Sequence, residues 1–144
     1  MSAAIHVTPR EAAAEILALT LWGEAADRPV RAIEALAALV INRLRAGVPH
    51  WGTGVAGVCR APFQFPCWNR NHPRHARLRD IPAGDAALAI CRRIAARALA
   101  GALPDPTGGA TFFHDALGLP GWALGRPAAA EIGGLCFYRA EDLT

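Results

Sequence analysis

The sequence predicts a single α+β domain, mainly α, with a small antiparallel β-ribbon. Three observations predict it. Three long stretches carry apolar residues at helical spacing between clear start and stop signals. A Gly- and Pro-rich middle follows the second of them. Two short β-rich runs come near the end, after Gly/Pro turns.

The first helix begins at a capping box. Thr8 is the N-cap, Pro9 takes the first helical position and Glu11 reaches back. Ala12, Ile16, Leu17 and Leu19 give it an apolar face, and the pattern runs to about Gly23. Asp27-Arg28-Pro29 turns the chain into a second helix. There Val30, Ile33, Leu36, Ala37, Val40, Ile41 and Leu44 form a buried stripe, stopped by Gly47 and Pro49. From His50 to Gly84 glycines and prolines break the pattern, which predicts a long irregular loop. Such loops are often functional, and this one holds Trp51, Phe63, Phe65 and Trp68. Asp85 caps a third helix to about Ala100. Ala110–His114 and Leu135–Arg139 are the predicted strands, with Leu117–Ala130 as their connection.

At 144 residues the chain suits one domain, residues 1–144, large enough to bury a core. Hydrophobic residues make up 53%, much of it Ala, so close helix packing on small residues is expected. No apolar run approaches the roughly 20 residues of a membrane span. Met1–Thr8 has neither a basic start nor an apolar stretch, so no signal peptide is expected. The net charge of +3 is carried by arginine and suits an anionic partner, though genome composition explains the bias equally well. Cys59 and Cys67 share the irregular loop, where a disulfide and free thiols are both open.

The chain has no P-loop, GxGxxG, HExxH or GxSxG motif, which removes the commonest nucleotide, zinc-protease and serine-hydrolase classes. Cys59, Cys67, His72 and His75 fit no standard zinc spacing, so no metal and no cofactor is expected. Arginines interleave with aromatics from Arg60 to Arg79, but no nucleic-acid-binding motif accompanies them.

Leu19-Thr20-Leu21-Trp22-Gly23-Glu24-Ala25 is the candidate catalytic stretch. It sets a carboxyl at the C-terminal end of an apolar helix. The carbonyl field there and apolar neighbours disfavour ionisation and raise its pKa. A carboxyl protonated near neutral pH suits a general acid, here toward a glycosidic oxygen. Local sequence alone favours a solvated Glu just past a helix end. In Gln64-Phe65-Pro66-Cys67-Trp68-Asn69, amides accompany flat rings, the mixture that recognises sugars. A conventional glycosidase needs a second carboxyl. Asp27, Glu34, Asp105 and Asp115 are candidates, none with a distinctive setting, so a single-acid mechanism carries weight.

Six segments then appear in order. They are Trp22-Gly23-Glu24-Ala25, Val40-Ile41-Asn42-Arg43, and Gln64-Phe65 with Cys67-Trp68-Asn69; then Asp105-Pro106-Thr107-Gly108-Gly109-Ala110, Pro120-Gly121-Trp122-Ala123, and Ile132-Gly133-Gly134 with Phe137-Tyr138-Arg139. The series resembles the cell wall hydrolase family of the spore cortex-lytic (SleB-like) type, from about Ala14 to Arg139. The resemblance implies a lysozyme-like domain of the goose-lysozyme and lytic-transglycosylase kind, acting as a monomer on peptidoglycan glycan strands. It places the family's glutamate on Glu24. The implied cleavage lies between N-acetylmuramic acid and N-acetylglucosamine, with Glu24 as acid and then base, leaving a 1,6-anhydro end. Gln64, Phe65, Trp68, Thr107, Gly108, Gly109, Trp122 and Tyr138 would line the cleft, while Asn42 and Arg43 tie the second helix to the loop. The alternatives are an N-acetylmuramoyl-L-alanine amidase and a non-catalytic wall-binding module. With no leader or separate wall-binding repeat in view, a phage-derived or wall-remodelling role is favoured over spore germination, by an export route the sequence leaves open.

Overall fold

The computed structural model describes residues 7–62 and 64–144. Phe63 and most of the Met1–Thr8 stretch, on which the signal-peptide reading falls, lie outside the described residues. Helices α1 (Pro9–Ala25), α2 (Val30–Ala46), α3 (Gly54–Arg60), α4 (Pro73–Arg79) and α5 (Ala86–Leu99) precede strands β1 (Phe112–Asp115), β2 (Ala130–Ile132) and β3 (Leu135–Tyr138). No helix among the described residues is long and apolar enough to cross a membrane.

The capped starts form as the sequence requires. Thr8 Oγ1 accepts the Glu11 N–H at 3.1 Å and the Glu11 carboxylate accepts the Thr8 N–H at 3.2 Å. Asp85 accepts the Leu88 N–H and also the Trp22 indole N–H at 2.8 Å, so one carboxylate caps α5 and fixes it to α1. Leu17 and Leu21 of α1, Ile33, Leu36 and Val40 of α2, and Cys91, Ile94 and Ala95 of α5 form one core with Phe137 of β3. Ala18, Ala25, Ala32, Ala35, Ala37 and Ala95 are wholly buried within it, so the helices approach on small side chains.

The loop expected from His50 to Gly84 is instead folded around α3 and α4. Both are seven residues long and read as punctuation. Gly54 and Gly57 lower the helical signal of α3. Pro73 opens α4 from its first position, where a missing N–H costs nothing, and His72 Nδ1 caps it by accepting the Arg74 N–H. α1 reaches Ala25 rather than Gly23, so Glu24 lies within its last turn instead of beyond it.

The predicted strands pair antiparallel, with Phe112 opposite Tyr138 and Asp115 opposite Leu135. A third strand, β2, is absent from the sequence reading, in which the connection ends at Ala130, and Glu131 and Ile132 belong to no element. It pairs with the other edge of β3, giving the order β1-β3-β2. Gly133 and Gly134, at φ of 56° and 82°, form the two-residue turn that joins β2 to β3. Both positions of such a turn need positive φ, which glycine adopts without strain.

Asn42 and Arg43 tie α2 to the segment before β1, and Arg43 also packs against Trp51 and Phe65 of the long loop. Asn42 donates to Asp105 and to the Ala110 carbonyl, and Arg43 Nε donates to the Thr111 carbonyl at 2.7 Å. The Arg43 guanidinium is buried between Trp51 and Phe65, 5.6 and 5.4 Å from the ring centres. Burial lowers its pKa to about 10. Arg43→Ala is expected to cost about 2 kcal/mol in urea unfolding, from an unpaired carbonyl and a cavity between two rings. Arg43→Met, which keeps the volume, should recover part of that loss.

Candidate active site

Glu24 points inward, at the edge of a groove. The residue is 8% exposed, and it shares with Gln64, Arg74, Trp51, Asp115 and Trp122 the lining of a cavity of about 580 Å³. His50, Arg43, Phe112, Phe113 and His114 complete most of the wall. The carboxylate has two partners. The Cys67 backbone N–H donates to Oε2 at 3.1 Å, and Arg74 Nη1 donates to Oε1 at 3.0 Å. Burial raises the Glu24 pKa above the ordinary carboxylate value, outweighing the Arg74 charge and the Cys67 hydrogen bonds that pull it down. Desolvation, rather than the field of the helix end, is the main cause.

Gly23 explains how the Cys67 N–H reaches a helical carboxylate. A Cβ at Gly23 would lie 2.5 Å from Cys67 Cβ and 2.9 Å from its Sγ. Only a bare α-carbon lets the Pro66–Trp68 turn lie flat on α1. α4 follows that turn and carries Arg74 back over Glu24, while His75 Nδ1 holds the Cys67 carbonyl at 3.0 Å. The site is therefore assembled from the end of α1, a tight turn and the start of α4.

The far wall comes from β1 and the turn before β2. Trp122, 41% exposed, stands edge-on to Tyr138, with ring centres 5.3 Å apart. His114 stacks on Tyr138 and contacts Trp122 edge-on. Its Nδ1 faces the Asp115 carbonyl at 2.7 Å, which can only accept, so Nδ1 carries a proton. In the neutral ring Nε2 then accepts from the Tyr138 hydroxyl at 2.9 Å.

The residues predicted to line one cleft divide among several places. Glu24, Gln64 and Trp122 share the groove. Tyr138 is buried behind His114 and Trp122. Phe65 is buried against Phe113, and with Trp68 it lines a separate cavity across Pro66. Thr107 is buried and its hydroxyl donates to Asp105 at 2.6 Å, while Gly108 and Gly109 are exposed in that same turn, away from the groove. Asp105 takes the N–H groups of Thr107 and Gly109 and the Asn42 amide, so that motif builds a turn locked to α2.

Of the four acids considered as a second carboxyl, Asp115 alone lines the groove. Glu34 pairs with Arg97, Asp105 serves its turn, and Asp27 is exposed. The Leu117 N–H, together with Arg28, holds the Asp115 carboxyl below its usual range despite an opposing effect of burial. Sequence reasoning missed Arg74 as a partner of Glu24; fifty positions separate them, and no local pattern marks the pair. Cys59 and Cys67 are free, buried thiols, and burial raises Cys59 to about 11. Among the described residues no three His, Cys, Asp or Glu side chains come together as a metal set.

A helical core, a short antiparallel sheet and one buried acid beside an aromatic groove define a lysozyme-like domain. Two solved structures share this fold. The catalytic domain of the germination-specific lytic transglycosylase SleB from Bacillus anthracis aligns with a TM-score of 0.68 at 21% identity, covering 95% of this chain and 100% of that one. The catalytic domain of the Bacillus cereus SleB protein aligns with a TM-score of 0.68 at 21% identity, covering 94% of each chain. No curated protein matches. The chain belongs to the Cell Wall Hydrolase family, whose model matches residues 27–138. That match begins three residues beyond Glu24, so the acid's place in the site rests on the geometry above.

Two outcomes follow from this geometry. Gly23→Ala should destabilise the protein by about 1–3 kcal/mol through overpacking against Cys67, read by urea unfolding. Arg74→Ala removes the cation that favours the Glu24 carboxylate, so the Glu24 pKa rises further. If the protonated acid is the active form, the alkaline limb of the kcat–pH profile moves to higher pH.

Proposed function

We propose that this chain cleaves peptidoglycan glycan strands between N-acetylmuramic acid and N-acetylglucosamine, as a lytic transglycosylase with Glu24 as acid and then base. One observation carries the proposal: a single buried carboxyl of raised pKa faces a groove walled by aromatic rings. Such rings suit the apolar faces of pyranoses, and the Gln64 amide suits hydroxyl or N-acetyl groups. The likeness to SleB catalytic domains supports the same reading.

Protonated Glu24 gives its proton to the glycosidic oxygen as the bond from C1 of N-acetylmuramic acid to that oxygen breaks. N-acetylglucosamine leaves with a free hydroxyl. The C6 hydroxyl of the muramoyl residue then bonds to C1 and returns its proton to Glu24. The products are a 1,6-anhydro end and a regenerated acid. This intramolecular attack needs no base for water, and closeness of the C6 hydroxyl to C1 favours it. Asp115 supports a single-acid route, because both its oxygens already accept hydrogen bonds, from Leu117 and Arg28.

Digestion of purified sacculi followed by mass spectrometry tests this. Anhydro muropeptides, one water lighter than reducing ones, are expected. Glu24→Gln should lower turnover by at least about a hundredfold. Reducing ends would instead assign hydrolysis. Free stem peptides with intact glycan would assign an amidase, and no turnover by the wild type would leave a binding module.

A further inference from the structure

A second cavity, of about 370 Å³, opens on the other side of Pro66 and shares that residue with the Glu24 groove. Its volume lies in the range of small-ligand pockets. Phe65, Pro66 and Trp68 make it largely apolar, and Arg60, Asn69 and His72 supply its polar groups.

Those polar groups are of one kind. The Arg60 guanidinium lies 4.7 Å from the Trp68 ring centre and has no carboxylate partner among the described residues, whereas Arg28, Arg74, Arg92, Arg97 and Arg139 all do. His72 Nδ1 already accepts the Arg74 N–H, so in the neutral ring its Nε2 bears hydrogen and donates. Asn69 Oδ1 already accepts the Asn71 N–H, leaving its amide hydrogens to donate. Among the described residues no acidic side chain lines the cavity. Trp68 does not offer a free ring for sugar on the Arg60 side, and its indole N–H is turned inward to Thr20 at 3.0 Å. The ligand that complements one cation, further donors and apolar walls is a carboxylate on a short organic chain.

We propose that this cavity holds the acidic peptide stem borne by N-acetylmuramic acid, with Arg60 pairing a stem carboxylate while the glycan lies over Glu24. The proposal rests on the glycan-cleaving reading and adds a second recognition element to it. Pro66 forms the partition between sugar and peptide. The stem then selects which muramoyl residue sits beside the acid, so strands stripped of peptide become poorer substrates.

Two polymers test it: sacculus glycan with stems attached, and the same glycan stripped by an amidase. Wild-type kcat/KM is expected to be at least tenfold higher on the stem-bearing strand. Arg60→Gln should bring the ratio of the two toward one, and Arg60→Lys should retain most of it. Arg60 is exposed, so both variants should fold, as thermal melting will verify. Equal wild-type rates on the two strands, or an unaltered ratio in Arg60→Gln, overturns the proposal. Should neither strand be cut, the glycan-cleaving reading fails, and titration of L-alanyl-D-isoglutamate against its amidated form decides the cavity alone. Preference for the acid that is lost in Arg60→Gln sustains an anionic site; no preference overturns it.

Discussion

The contact between Gly23 and Cys67 is the constraint from which the site follows. A carboxylate shut away from water is costly unless donors replace the water. Glu24 receives two, and both depend on a turn lying against α1 more closely than any side chain at Gly23 would allow. The turn brings the Cys67 N–H, and the helix that follows it brings Arg74. Together the donors do not outweigh burial, so the pKa stays raised above the ordinary carboxylate value. The same geometry that stabilises the carboxylate also keeps that stabilisation incomplete, as the proposed acid role requires.

The sheet answers a different need. β1 is only four residues long, yet it lines the groove along its whole length. Its pairing with β3 sets Tyr138 behind His114, and the Trp122 turn closes over both. Phe113 meanwhile stacks between Phe65 and Phe137, joining the sheet to the helical core. The aromatic wall is thereby fixed to the body that carries Glu24, so the distance across the groove does not depend on a free loop.

Arginine gives the chain its positive charge, and several arginines are engaged by other side chains of the fold. Arg43 lies between Trp51 and Phe65, Arg77 faces Trp22, and Arg74 meets Glu24. A run of arginines interleaved with aromatics resembles a stacking surface for nucleic acid when written as sequence. In three dimensions Arg60 and Arg77 of that run lie over Trp68 and Trp22 of their own chain, where a flat, weakly hydrated guanidinium packs well, and Arg74 pairs with Glu24. Arg60 differs in that its ring lies at the mouth of a cavity.

The sequence by itself determined the elements whose signals are local. The Thr8 capping box, the stripes of α2 and α5, the Asp85 cap and the β1–β3 pairing are all legible, because each depends on residues a few positions apart or on simple alternation. The sequence also singles out Trp22-Gly23-Glu24 near the end of the first helix, and the structure buries Glu24 at the edge of the groove, in the last turn of α1. Tertiary structure alone decided which residues meet. α3 and α4 are too short to declare themselves, and β2 exists through its pairing with β3. Thr107-Gly108-Gly109 follows a local hydrogen-bond logic centred on Asp105 and leaves the groove, while Arg74 and Asp115 enter it from distant positions. The reason is physical: capping and periodicity are short-range, whereas burial and charge pairing depend on what the folded chain brings together.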